Sequence, residues 1–334
     1  MKVDMGLFGN LEEIPRRIRE LEEEGYDAVM TAETSSDPFF PLLIAAEHSE
    51  RIELLTSIAV AFARTPMTLA HVGHDLNNYS KGRFILGLGS QIRPHITRRF
   101  SMPWSKPAAR MREFIQALHA IWDCWHKGEK LNFRGEFYTH SLMTPMFSPS
   151  ANEFGPPRVF LAAVGPLMTE VAGEVADGML VHPFSTEQYI REVTMPAIER
   201  GLARGGKKRS AFEITGSPFI ITGTDEESQL RSRSSIAQQL AFYGSTPAYR
   251  PVLDMHGWGD VQEELNVLSK RGEWVKMATL MTDEMLEKFA IIGKPEEIAP
   301  KLKARYGDLF DRVACTAPFE DPAARREFIE TLRK

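Results

Sequence analysis

Hydrophobic positions along the first ninety residues follow two alternating spacings. Short apolar runs predict β-strands over residues 2–8, 27–32, 52–60 and 84–88. Between these runs, apolar residues recur every three or four positions, which predicts helices over residues 11–24, 41–49 and 68–79. Gly25 follows the first helical segment, where a glycine often ends a helix. Strand and helix in this succession predict parallel strand–helix–strand units.

The same pattern returns in the second half of the chain. Four more strands are predicted over residues 159–164, 178–182, 212–222 and 312–317, with helices over 167–175 and 186–202 and from Pro322 onward. Eight strands, most of them followed by a helix, predict an α/β fold of the (β/α)8 or TIM-barrel type rather than a doubly wound sheet.

Two insertions interrupt this single barrel domain, which is predicted to cover residues 1–334. The first insertion, at about 128–157, is rich in aromatic residues and contains the turn Arg134-Gly135. This pattern predicts a hairpin followed by a loop. The second, at about 244–282, carries Tyr249, His256 and Trp258 and then two short helical patterns. Loops of this length in a compact domain are usually functional.

Composition narrows the class of protein. The 334 residues include 40 Lys plus Arg and 45 Asp plus Glu, a net charge of −5 that offers no general attraction to nucleic acid or to an acidic membrane. The apolar run 54–63 is too short to span a bilayer, and the N-terminus has no signal-peptide pattern. Two cysteines without zinc or disulfide spacing predict a cytoplasmic protein.

Several familiar motifs are absent or incomplete. The segment Gly87-Leu88-Gly89-Ser90-Gln91-Ile92 begins like a dinucleotide-binding motif but lacks the third glycine. His71, His74 and Asp75 share one helix face without a further ligand, so no metal site is predicted.

The chemistry of a (β/α)8 barrel is expected where the strands end at the carboxyl face. The residues that the predicted strands bring there are Glu33, Thr34, Ser57, Ile58, Ser90, Gln91, Ala163, Val164, Gly165 and His182. Glu33 lies between an apolar strand and Pro38-Phe39-Phe40, which favours a pocket acid over a solvated loop acid.

Two segments have the composition of an anion site. Val164-Gly165-Pro166 combines a glycine that allows close backbone approach with a proline suited to the first position of a helix. A plain tight turn would look the same. The loop after the fourth strand contains the basic residues Arg93, His95, Arg98 and Arg99, a run that is either a solvated surface or a site for a polyanionic ligand.

The chain resembles the bacterial luciferase-like monooxygenase superfamily and, within it, the branch of deazaflavin (coenzyme F-420)-dependent oxidoreductases. The resemblance covers nearly the whole chain and rests on the order and spacing of several segments: Thr31-Ala32-Glu33-Thr34, Arg51-Ile52-Glu53-Leu54-Leu55-Thr56-Ser57, Ser80-Lys81-Gly82-Arg83-Phe84, Ala162-Ala163-Val164-Gly165-Pro166 and Gly173-Glu174-Val175-Ala176-Asp177-Gly178.

The resemblance implies a dimeric barrel that holds a flavin or deazaflavin ring across its strand ends. It implies a cis peptide between Ser57 and Ile58 behind that ring. The tail phosphate would bind at Val164-Gly165-Pro166, with help from Ser90-Gln91 and the loop near His182, and Arg93 would attract the anionic tail.

One departure from the family bears on the reaction. Related sugar-phosphate dehydrogenases have a histidine and a glutamate where this chain has Thr34 and Ile92. Oxidation of a sugar phosphate is therefore not expected. Glu33, beside that histidine's position, becomes the predicted proton donor, with Thr34 next to it and His95 and His182 as rivals. A carboxylate that only anchors its loop is the alternative.

Four functions stay open at this point. The leading one is transfer of a hydride between coenzyme F-420 and a small organic substrate. The others are an FMN-dependent monooxygenase, a non-catalytic flavin- or deazaflavin-binding protein, and a phosphate-binding barrel enzyme without flavin.

Overall fold

The computed structural model describes residues 1–315, 319 and 321–334, and within them eight parallel strands close into a barrel. The predicted (β/α)8 fold is therefore confirmed. Each barrel strand pairs with the next, and the last returns to the first with Lys2 opposite Arg312. In chain order the strands are β1 Lys2–Gly6, β2 Ala28–Thr31, β3 Glu53–Thr56, β4 Phe84–Gly89, β5 Arg158–Ala163, β6 Gly178–Val181, β7 Glu213–Gly216 and β8 Arg312–Ala314.

Helices surround the barrel and cover the outer faces of its strands. Gly25 ends the first of them in the left-handed conformation, with φ 96°, as the sequence predicts. The helices of seven residues or more in the described part of the chain are α1 Ile14–Glu24, α2 Phe39–Glu47, α3 Pro66–Tyr79, α4 Pro107–Lys127, α5 Pro166–Val175, α6 Met195–Gly205, α7 Glu226–Gly244, α8 Gly259–Arg271, α9 Asp283–Phe289, α10 Pro295–Tyr306 and α11 Pro322–Arg333.

The barrel interior is filled by one small apolar cluster, separate from the larger core between strands and helices. Its members are Met30, Leu55, Ile85, Phe160, Leu180 and Ala314. Because alternate residues of a strand face the same side, His182, two positions after Leu180, faces the mouth of the barrel.

Charged side chains close the opposite end, where the strands begin. Arg312 is fully buried and its guanidinium contacts both carboxylate oxygens of Asp4 at 2.9 Å, Glu53 at 2.6 Å and Glu213 at 2.9 Å. Arg158 contacts Glu53 and Glu213 from the side. This end is therefore held by charge pairs and offers no route for a ligand.

The seventh strand differs from its prediction. The segment 212–222 is not continuous: β7 ends at Gly216, and a second strand, Phe219–Ile221, pairs outside the barrel with the unpredicted strand Ala290–Ile292. Pro218 separates the two because it has no N–H for a ladder hydrogen bond.

Three other predicted elements are modified. The third strand, predicted over 52–60, is β3 followed by the short strand Ala59–Val60. The helix predicted over 186–202 contains the wider π-type turn Ile190–Thr194 just before Pro196, whose missing N–H removes a helical hydrogen bond. Of the eighth strand, residues 316 and 317 lie outside the described residues.

Both insertions are present. Phe133–Arg134 and Thr139–His140 form the predicted antiparallel hairpin. The second insertion contains helices Arg250–Asp254, α8 and Trp274–Ala278, one more than predicted. It packs with α7 and α9 around an apolar cluster of its own. Among the described residues, no helix has both the length and the apolar composition that crossing a bilayer requires.

Candidate active site

The end of β3 projects into the barrel mouth. The peptide between Ser57 and Ile58 is cis, as the resemblance implies. A Cβ on Gly89 at the end of β4 would lie 2.9 Å from Cδ1 and Cγ1 of Ile58. Only glycine at position 89 therefore leaves room for Ile58 to lie across the end of β4.

A second apolar side chain covers the mouth at β1. A Cβ on Gly6 would lie 2.2 Å from Cε2 of Phe8, so the Phe8 ring lies over Gly6. Phe8 is nevertheless 69% exposed. Phe8 at β1 and Ile58 at β3 are thus two apolar side chains at the mouth, and sequence reasoning did not find Phe8.

Glu33 follows β2, and one oxygen of its carboxylate is held by protein groups. Oε2 accepts hydrogen bonds from the Val60 amide at 2.7 Å and from Arg64 Nη1 at 2.6 Å. These contacts favour the anchoring role that the sequence left open, and proton donation by Glu33 stays a prediction.

The loops after β2 and β4 are joined at the surface. Arg99 Nη2 donates a hydrogen bond to the Thr34 carbonyl oxygen. Thr34 and His95 are exposed, and no described contact links their side chains or links them to Glu33. A joint catalytic role of Glu33, Thr34 and His95 therefore stays a prediction.

The start of the β4 loop is a tight local turn. Gln91 has a positive φ of 56° and its Oε1 accepts a hydrogen bond from the Ile92 amide at 2.9 Å. Ser90 donates to the Gln91 carbonyl oxygen at 3.1 Å. Arg93 follows as an exposed side chain that makes no ion pair with any described residue. Its charge is available to a ligand.

The end of β5 opens onto the start of α5. Ala163 is the last residue of β5, and Gly165, with φ −76°, caps α5 ahead of Pro166. A Cβ built on Gly165 meets no atom within 4 Å. A cavity of about 750 Å³ lies here between the starts of α4 and α5, lined by Lys106, Pro107, Ala108, Ala109, Arg112, Gly165, Pro166, Leu167, Met168, Glu170 and Arg204.

His182 follows β6 next to this loop, because Ala163 is paired with Val181. Its Nδ1 accepts a hydrogen bond from the Phe184 amide at 3.1 Å, and its Nε2 lies 3.1 Å from the Tyr249 hydroxyl. Burial lowers the pKa of His182 to about 4, so the imidazole is neutral near pH 7.

Aromatic rings surround this histidine. Tyr243 meets the His182 ring edge-on, with centroids 4.9 Å apart, and Phe184 stacks on Tyr249 at 5.8 Å. Burial, reinforced by Tyr243, raises the pKa of Tyr249 to about 12. The sequence marked Tyr249 only as part of an insertion, since no spacing rule links it to His182.

A metal site requires a defined arrangement of ligand side chains. No group of three or more His, Cys, Asp or Glu side chains within residues 1–315, 319 and 321–334 is arranged to hold a metal ion. His71 and His74 instead pack against the ring of Trp125, with centroids 4.7 Å and 5.6 Å away.

Known proteins share this architecture. The 5,10-methylenetetrahydromethanopterin reductase of Archaeoglobus fulgidus is 26% identical over 297 residues, which cover 87% of this chain and 85% of that protein. The solved coenzyme F420-dependent tetrahydromethanopterin reductase of Methanopyrus kandleri superposes with a TM-score of 0.79 at 20% identity, covering 99% of this chain and 96% of that one. An F420-dependent secondary alcohol dehydrogenase, solved with an F420–acetone adduct, gives a TM-score of 0.74 at 16% identity and covers all of both chains.

Sequence comparison identifies the family. An uncharacterised protein of Mycobacterium tuberculosis is 57% identical over 293 residues, which cover 88% of this chain and 86% of that protein. The family model for luciferase-like monooxygenases matches residues 3–312. With this match over most of its length, the chain belongs to the luciferase-like monooxygenase family, whose members are oxidoreductases.

Proposed function

We propose that this protein is a deazaflavin (coenzyme F-420)-dependent oxidoreductase that transfers a hydride between the cofactor and a small organic substrate. The observation that carries the proposal is the open approach to Gly165, at the start of α5 and beside the barrel mouth. Two of the similar proteins described above are named as F420-dependent enzymes, which supports the choice of cofactor.

The residues at the mouth fit such a group. Gly165 leaves space for a phosphate, and the first free amides of α5 point toward it with the positive end of the helix dipole. Ser57, Ile58 and Ala163 line the strand ends where a planar ring would lie. When bound, the deazaflavin supplies the hydride chemistry, while the protein orients the ring and excludes water.

The loop after β4 favours a cofactor with a long anionic tail. Arg93 and Arg98 are exposed and form no ion pair with any described side chain. Ser90 and Gln91 form the turn that presents them. A multiply charged tail would gain more from these two cations than the single phosphate of FMN.

An FMN-dependent monooxygenase is the second candidate. It is supported by solved monooxygenases with the same fold, such as the EDTA monooxygenase of Chelativorans, which has a TM-score of 0.72 at 16% identity and covers 99% of this chain and 92% of that one. The apolar side chains of Phe8 and Ile58 at the mouth would suit either ring system.

Calorimetric titration of the purified protein with coenzyme F-420 and, separately, with FMN tests the proposal. We expect micromolar or tighter binding of coenzyme F-420 and weaker binding of FMN. The opposite order would favour the monooxygenase. Binding of coenzyme F-420 without oxidation of its reduced form by any substrate in a broad carbonyl panel would favour a non-catalytic carrier. The homodimer that the resemblance implies stays a prediction, which light scattering of the same sample would test.

A further inference from the structure

His182 and Tyr249 form a hydrogen-bonded pair, and the proposed function gives no role to Tyr249. Their nearest polar atoms, Nε2 and the hydroxyl oxygen, are 3.1 Å apart, although the residues are 67 positions apart in the chain. His182 stands two residues after the barrel-lining Leu180 and therefore faces the mouth. Tyr249 reaches it from the second insertion, which extends over this side of the barrel.

The surrounding contacts determine which atom donates. The Phe184 amide donates to Nδ1 of His182, so in the neutral imidazole the proton is on Nε2. Nε2–H then donates to the Tyr249 hydroxyl oxygen. The hydroxyl proton of Tyr249 is not used in this bond, and no described residue accepts it. Tyr249 is thus a hydrogen-bond donor still available to a ligand.

The site around this donor is aromatic and uncharged. Tyr243 and Phe184 contact the pair with their rings. The pKa of His182 is lowered by burial alone, with no charged neighbour contributing. The high pKa of Tyr249 keeps its phenol protonated. Such a site suits a neutral hydrogen-bond acceptor better than a carboxylate or a phosphate.

We propose that Tyr249 donates a hydrogen bond to the carbonyl oxygen of a neutral substrate and supplies the proton when that carbonyl is reduced, with His182 as its positioning residue. This rests on the proposed function, which provides reduced deazaflavin as the reductant. A hydride from the reduced deazaflavin adds to the carbonyl carbon, the π electron pair moves to oxygen, and the oxygen takes the proton of Tyr249. The proton that the deazaflavin loses on oxidation passes to the solvent, and the solvent returns one proton to the tyrosinate, so no net proton is gained or lost.

This assignment agrees with the contacts of Glu33. Oε2 of the Glu33 carboxylate already accepts hydrogen bonds from Arg64 and from the Val60 amide. Tyr249 instead has an unused proton and stands beside a residue at a strand end.

The test uses acetophenone as the carbonyl probe and ethylbenzene as the probe without an oxygen. Dissociation constants are measured for the wild type, for Tyr249→Phe and for the control Tyr79→Phe, which removes an exposed hydroxyl at the end of α3. We expect acetophenone to bind at least tenfold more weakly to Tyr249→Phe and unchanged to Tyr79→Phe. The dissociation constant of ethylbenzene should be the same for all three proteins.

Infrared spectroscopy gives a readout that does not depend on turnover. The carbonyl stretch of bound acetophenone should be lowered in the wild type and should return toward its value in apolar solvent in Tyr249→Phe. Equal affinity and an equal stretch in both proteins would overturn the proposal, as would failure of the wild type to bind acetophenone.

Cofactor titration separates this inference from the proposed function. If coenzyme F-420 binds but Tyr249→Phe reduces acetophenone as fast as the wild type, proton delivery by Tyr249 is wrong and the proposed function stands. If coenzyme F-420 does not bind while the carbonyl shift depends on Tyr249, the proposed function is wrong, the proton-delivery step is overturned with it, and the carbonyl site is supported.

Discussion

The carboxylate of Glu33 lies 2.6 Å from the guanidinium of Arg64, whose other nitrogen contacts Asp37 at 3.1 Å. The Arg64 guanidinium also lies 5.5 Å from the centroid of the Phe39 ring. Arg64 therefore ties the loop after β2 to the segment that follows the cis peptide. Both segments border the barrel mouth, so this ion pair holds two walls of the candidate site at a fixed separation.

Glu33→Gln and Arg64→Gln break the same ion pair from its two sides. We expect each to lower the free energy of unfolding by about 2 kcal/mol, because a mostly buried polar partner is left uncompensated. Urea unfolding measures this. If Glu33 only anchors the loop, both variants should reduce acetophenone with similarly lowered rates. A further hundredfold loss confined to Glu33→Gln would instead support proton donation by this residue.

Much of the fold could be predicted because its signals are local. Apolar runs of four to six residues between amphipathic helices mark the parallel strands, and the hairpin at Arg134-Gly135 is a short-range turn. The cis peptide at Ser57 and Ile58 has no local signal and was predicted from the resemblance alone.

The candidate site could be predicted only in part because it depends on distant contacts. No periodicity places Tyr249 beside His182, 67 residues earlier. The ion pair of Glu33 joins it to Arg64, 31 residues later, and no local pattern reveals that contact. The break at Pro218 did have a local signal, the missing N–H of proline.

Gly165→Ala should weaken cofactor binding without destabilising the protein. The added methyl group meets no protein atom within 4 Å, and φ −76° suits alanine. The methyl group would occupy the space that we assign to the phosphate. We expect affinity for coenzyme F-420 to fall about tenfold, which corresponds to about 1.4 kcal/mol. Unchanged affinity in calorimetry, with an unchanged unfolding midpoint, would place the phosphate elsewhere.

Arg93→Gln should lower the affinity for coenzyme F-420 in a salt-dependent way. Because Arg93 is exposed, its attraction to the anionic tail is worth at most about 1 kcal/mol and is screened as salt is added. We expect the affinity of Arg93→Gln for coenzyme F-420 to be about threefold lower than that of the wild type at low salt and equal to it at high salt. Lys130→Gln removes the same charge beyond the far end of α4 and should leave the affinity unchanged. Equal effects of the two variants would exclude a specific role for Arg93.

Arg312→Met should strongly destabilise the fold because Asp4, Glu53 and Glu213 would lose their shared partner. Breaking a buried ion pair from one side typically costs about 3–5 kcal/mol. The control Arg231→Met breaks an exposed pair with Glu227 and should change the unfolding free energy by less than about 1 kcal/mol. Comparable effects of the two substitutions in urea unfolding would contradict a structural role for the buried cluster.

The same cluster predicts how acid acts on the protein. Burial alone would raise the pKa of Glu53, but Arg312 and Arg158 outweigh it and lower that pKa to about 2 from 4.5. Its contribution to stability is complete above pH 4.5 and is lost as the pH falls toward 2. Between pH 4.5 and pH 2, the unfolding free energy of Arg312→Met should therefore fall by less than that of the wild type. If the unfolding free energies of the two proteins fell in parallel as the pH was lowered, the low pKa of Glu53 would not depend on Arg312.

His182 should set a second pH dependence, at milder acidity. Its pKa is about 4 in the folded protein and 6.5 when the side chain is fully solvated, so the unfolded chain takes up the proton first. Its contribution to stability is complete above pH 6.5 and is lost as the pH falls through 4, a change of at most about 3 kcal/mol. His182→Gln cannot take up this proton, so the wild type should lose its stability advantage over the variant between pH 7 and pH 4. A constant difference in unfolding free energy across that range would show that the pKa of His182 is the same in the folded and the unfolded protein, and would contradict the assignment of Nδ1 as the acceptor of the Phe184 amide hydrogen bond.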